Sequence, residues 1–171
     1  VAGWTSGVSP LRASRTLVTA TLTLRVGPWT PRLAGETAWF DFGQGELSCF
    51  AVTLPDIITI GRSTGIPVVE TYVYVSGNAF PEGDLAALLD GPDAAEREAN
   101  RYQAAVAVTA AGGRIARAVL DTVNGYSFTS MAAAEAAKRV LAGEVRAGFQ
   151  TPAGLFGSGF AETIADTHII D

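Results

Sequence analysis

Hydrophobic residues recur at every second position in several stretches of this chain, and at helical spacing in fewer. In "TLVTATLTL", Val18, Ala20, Leu22 and Leu24 alternate with Thr19, Thr21 and Thr23, a strand pattern in β-favouring residues. Just upstream, Ser9 and Pro10 supply an N-cap and a first-turn proline, so a helix from Pro10 that gives way to extended chain is expected. "GETAWFDFGQGELSCFAVTL" puts Ala38, Phe40 and Phe42 on one face and Phe50, Val52 and Leu54 on another. The intervening "GQG" can turn the chain, which predicts a hairpin. Pro55 and Asp56 open a short helix closed near Gly61. In "VVETYVYV", Val69, Thr71, Val73 and Val75 stand opposite Val68, Glu70, Tyr72 and Tyr74, a strand with an aromatic face.

The second half reads more helically. "PEGDLAALLDGPDAAEREANRY" is helical and polar, broken at Gly91-Pro92, and its charges form a solvated face. The best helix runs from about Ser130 to Leu141, with Thr129 as N-cap, Gly143 just past its end and Glu135 reaching Arg139 at i+4. Thr151-Pro152 repeats the cap-and-proline signature before "GLFGSGF". The stretch "QAAVAVTAAGGRIARAV", Gln103 to Val119, is ambiguous. It reads as strand, glycine loop and helix, or as two strands turned at Gly112 and Gly113, and periodicity alone does not choose.

Composition narrows the class. With 171 residues, 48% apolar and 17% charged, the chain suits one domain with a sizeable core and excludes disorder. A net charge of −5 without a basic cluster argues against a nucleic-acid partner. Cys49 is the lone cysteine, so there is no disulfide framework and no cysteine-based zinc site, which fits the cytoplasm. No apolar run approaches the roughly 18 residues of a membrane helix, and no signal peptide is visible. The chain begins "VAGWTSG", and a C-terminal fragment of a longer protein is the expectation.

The candidate chemistry is sparse. "AAGGRIA", "GLFGSGF" and "GRSTG" each miss the spacing of a dinucleotide or phosphate loop, so no Rossmann unit and no cofactor site is expected within this chain. His168 is the sole histidine and sits almost at the C-terminus. It reaches Cys49 or a serine only if that terminus folds back across the domain. Asp166 and His168 offer two metal ligands without a third at recognisable spacing. The carboxylates of Asp41, Asp56 and Glu70 fall in apolar surroundings and need partners, with Arg62 a candidate. The most suggestive stretch is "GRSTGIPVVETYVY". Arg62 offers a bidentate fork for a carboxylate or phosphate, Ser63 and Thr64 add hydroxyls, and Glu70, Tyr72 and Tyr74 share a strand face. Such a loop and face suit the wall of a small-molecule cleft, and equally a turn beside a packed aromatic strand.

Three segments taken together carry a resemblance. "DFGQGELSCFAVTLPDIITIGRSTGIPVVETYV", "YQAAVAVTAAGGRIARAVLDTVNGYSFTSMAAAEAAKRVLAG" and "GFQTPAGLFGSGF" resemble, in order and spacing, the C-terminal half of saccharopine dehydrogenase-like proteins. The part before Gly35 matches more loosely, through "GWTSGVSPLRAS". The resemblance implies an α+β fold: a mixed, largely antiparallel sheet with helices packed mainly on one face and a hairpin at Gly112-Gly113. It also implies that residues 1–171 form the substrate-binding and dimerisation domain of an oxidoreductase. Its NAD or NADP would be held by an N-terminal Rossmann domain outside this chain. Hydride transfer would occur there, with Arg62, Ser63 or Tyr72 orienting a small-molecule substrate. The Lys/His acid–base pair of the lysine-pathway enzymes has no visible counterpart. A non-catalytic ligand-binding or dimerising module that keeps only the fold is the alternative.

Overall fold

The structure is a computed structural model that describes residues 16–23, 36–52, 54–66, 68–75 and 91–170, with 16–23 and Val75 described by their backbone. The helix expected from Pro10 and the polar segment before Gly91 lie outside the described residues. Within them, seven strands form one sheet: β1 (Thr16–Thr23), β2 (Thr37–Asp41), β3 (Glu46–Ala51), β4 (Val69–Val75), β5 (Tyr102–Thr109), β6 (Ile115–Thr122) and β7 (His168–Ile170). Their order is β2-β3-β4-β1-β5-β6-β7. Two antiparallel ladders, β2-β3-β4 and β5-β6-β7, are joined by β1, which runs antiparallel to β4 and parallel to β5. The fold is therefore α+β with a mixed, largely antiparallel sheet, and the described residues contain no Rossmann unit.

Period-two alternation assigns the side chains to faces. On one face, Tyr72 packs with Cys49, Phe42 and Ala105, joined by Phe40, Leu47 and Val119. The Phe40 and Tyr72 rings meet at 5.4 Å in a tilted contact. On the other, Val73 and Tyr102 pack with Phe50, Val52 and Leu54. There α1 (Asp56–Thr64) buries Ile60 against Val69, Val106 and Val108. Its first turn carries Asp56 and its last Arg62, charges that complement the helix dipole. Gly65 ends it in the left-handed conformation, donating to Gly61 O at 2.9 Å.

The remaining helices come from the second half of the chain. A short polar α2 (Ala94–Ala99) buries nothing and is held by a capping box between Asp93 and Glu96. The long α3 spans Gly125–Leu141, five residues earlier than the sequence pattern starts it, because Asn124 caps it by accepting from Tyr126 N at 3.1 Å. It packs Phe128 and Ala132 on Phe160 and Ile164 of the C-terminal segment. That segment holds α4 (Pro152–Phe156) and a 3-10 turn (Ser158–Thr163). Among the described residues, no helix is long and apolar enough to cross a membrane.

Candidate functional site

The ambiguous stretch from Gln103 to Val119 is the β5–β6 hairpin, eight paired residues on each side from Tyr102↔Thr122 to Thr109↔Ile115. At its tip Gly113 N donates to Ala110 O at 2.9 Å, and Ala110 N to Arg114 O at 2.9 Å. Gly113 takes φ 78°, so it supplies the left-handed residue that a tight turn needs. No helix follows it and no N–H cradle forms. "GRSTG" is likewise the end of α1, and "GLFGSGF" runs from α4 into the 3-10 turn. None of these three glycine runs joins a strand to a helix N-terminus, the geometry that would hold a dinucleotide.

The five residues singled out around "GRSTGIPVVETY" divide into two groups with the sheet between them. Arg62, Ser63 and Thr64 end α1 on the side where Ile60 packs against Val69. Glu70 and Tyr72 alternate with Val69 and Thr71, so they face the opposite side, where Tyr72 joins the Cys49–Ala105 cluster. Tyr72 is 4% exposed and its hydroxyl donates to Glu70 Oε2 at 3.3 Å. It is a core tyrosine with its polar tip satisfied. Arg62 also fails to pair the carboxylates expected to need it. Six residues separate it from Asp56, about 9 Å along the helix, and the sheet divides it from Glu70. Asp41 instead accepts from Gly43 N and Gly45 N at 2.8 and 3.1 Å, closing the β2–β3 turn.

What the structure does bring to α1 is the segment before α4. Ser63 Oγ lies 3.2 Å from Thr151 Oγ1, across 88 residues of sequence. The Arg62 guanidinium stands over the Phe149 ring, 5.6 Å from its centroid. Ser63 also donates to Thr59 O at 2.6 Å, and Thr151 accepts from Gly154 N at 3.1 Å as the α4 cap. Thr64 donates to Ile60 O at 2.7 Å and accepts from Ile66 N at 3.2 Å. The hydroxyls are thus committed to protein acceptors. The N–H groups of Arg62, whose guanidinium carbon lies over the Phe149 ring, are the donors this corner can offer to an anion. Phe149 and its approach to Arg62 left no trace in the sequence pattern, since "GF" before Thr151 has no periodic partner.

A second polar group lies at the far edge. Arg101 donates to Asp121 and to Asp166 Oδ2, and its Nη2 reaches Asp166 O at 3.1 Å. Gln103 Nε2 donates to Asp121 Oδ2 at 2.6 Å. The Asp121 hydrogen bond, and after it that of Asp166, hold the Arg101 proton more tightly than usual. Asp166 takes φ 56°, and Arg101 binds both its carboxylate and its carbonyl, so this group clamps the turn into β7. His168 lies opposite Asp121 on β7, whereas Cys49 is fully buried in β3. Five strand spacings of about 4.8 Å, roughly 24 Å, separate those two strands, which removes a Cys49–His168 catalytic pair.

Compared with known proteins, the chain matches no family model, no curated protein and no solved structure.

Proposed function

We propose that the chain is the substrate-binding and dimerisation domain of a saccharopine dehydrogenase-like, NAD(P)-dependent oxidoreductase, with its cofactor held by an N-terminal Rossmann domain of the full-length protein. The observation that carries this reading is a convergence. Two motif-bearing segments, "GRSTG" and "GFQTPAGLFG", meet through Ser63 and Thr151 at 3.2 Å, although 88 residues part them. The mixed sheet and the hairpin at Gly112-Gly113 agree with it. In this role Arg62 binds an anionic group of the substrate, while Ser63 and Thr151 fix the wall beside it. Tyr72 and Glu70 belong to the packing of the opposite face and act on substrate only if the ligand lies there. In this reading the nicotinamide is held by the Rossmann domain, so chemistry belongs to the complete cytoplasmic homodimer.

The alternative, a binding or dimerising module that keeps only the fold, is favoured by one observation: the Ser63 and Thr64 hydroxyls are already bonded to backbone carbonyls. NADPH binding by the gene product with its flanking sequence separates the two readings.

A further inference from the structure

Between α3 and α4 the chain runs exposed from Ala142 to Phe149 without regular structure. Val145 and Phe149 are 65% and 51% exposed, large apolar side chains that no core cluster takes up. Backbone bonds secure the start, where Gly143 N reaches Val140 O at 3.0 Å and Glu144 N reaches Arg139 O at 3.0 Å. Farther on the holding bonds come from side chains. Arg146 donates to Gln150 and to Gly154 O at 2.9 Å, and Gln150 Nε2 to Ala147 O at 3.1 Å. Gly143 and Gly148 have φ of 96° and 89°. At Gly143 that conformation caps α3, its own N–H and that of Glu144 returning to the last helical carbonyls. The described contacts of this segment with α1 are two: the Phe149 ring on Arg62, and, at its end, the Thr151 hydroxyl on Ser63.

We propose that residues 144–150 form a strap that closes over Arg62, latched at its C-terminal end by the Phe149–Arg62 and Thr151–Ser63 contacts. Closed, the Phe149 ring holds the guanidinium by a cation–π contact and leaves N–H donors to a carboxylate or phosphate. Open, the guanidinium is unfixed, so an anionic ligand favours closure. That the ligand is a substrate rests on the function proposed above; the strap itself does not.

Amide hydrogen exchange on the chain tests the latch directly, because weakly secured segments open locally and independently of the core. Phe149→Leu removes the ring contact without touching α1, and Ser63→Ala removes the hydroxyl contact. From the sizes of an exposed cation–π contact and a hydrogen bond, the double variant is expected to exchange roughly tenfold faster across 144–150. Amides of β5 and β6 keep their wild-type protection. An unchanged strap in the double variant overturns the proposal. So does a rise shared equally by β5 and β6, or a wild-type strap that already exchanges as a free peptide. Failure of the longer gene product to bind NADPH would remove the oxidoreductase and leave the strap standing.

Discussion

At the scale of single residues, the polar groups with the most at stake are those that secure the turn into β7. Asp121 accepts from Arg101 and from the largely buried amide of Gln103. Asp121→Ala removes this acceptor from both donors, and Arg101 keeps only Asp166. Because Arg101 is more than a third exposed, water recovers part of the loss. Urea unfolding is expected to show a cost of about 1–2 kcal/mol, against no more than about 0.5 for Arg114→Ala at the exposed hairpin tip. Glu135 carries a pH-dependent term. Lys138 first, and then Arg139, hold its carboxyl below its ordinary value of 4.5. A lowered folded value means stability that is present above about pH 4.5 and disappears as the pH falls through the folded value. Glu135→Gln should therefore cost a little stability at pH 7 and nothing near pH 2, so the two unfolding curves converge in acid. Local pairs such as Glu135–Arg139 were legible in the sequence, four residues apart on one helix. Arg101–Asp166 and Ser63–Thr151 were not, since 65 and 88 residues separate them and no local spacing reports such contacts.

At the scale of elements, alternation was the reliable guide. The β2–β3 hairpin and β4 follow it, because one face of each strand is buried and a register slip would expose that set. The backbone of Thr16–Thr23 forms the strand its alternation predicts. The start of α3 was missed for a physical reason. "VNGYSF" looks like turn chemistry, yet Asn124 uses its side chain as a cap and Gly125 approaches the Tyr102 ring, where an added Cβ would lie 3.3 Å from it. The glycine pair of β5–β6 makes a sharp test. Gly113→Val places a branched residue at φ 78° and is expected to destabilise by about 1–2 kcal/mol in thermal or urea unfolding. Gly112→Ala, with open space around it, is expected to change stability by less than about 0.5 kcal/mol. Equal sensitivity at both positions would contradict the turn geometry. The faces of "GRSTGIPVVETY" were the other gap. Eight residues join Arg62 to Glu70, but the chain passes from α1 into the sheet between them, and the alternation does not reveal on which side the helix docks.

At the scale of the molecule, the sheet order depends on β1, which sits between β4 and β5 and joins two antiparallel ladders through a parallel pair. That insertion is set by long-range pairing and was visible only as an expectation of a mixed sheet. The three glycine runs are turns or helix ends, so in the proposed function the cofactor is held by another part of the protein. The direct measurement is an NADPH titration, followed by nicotinamide fluorescence, of the full-length gene product beside this 171-residue chain. The full-length protein is expected to bind in saturable fashion and the isolated chain to show no binding. Binding by the isolated chain, or none by either, would contradict the assignment.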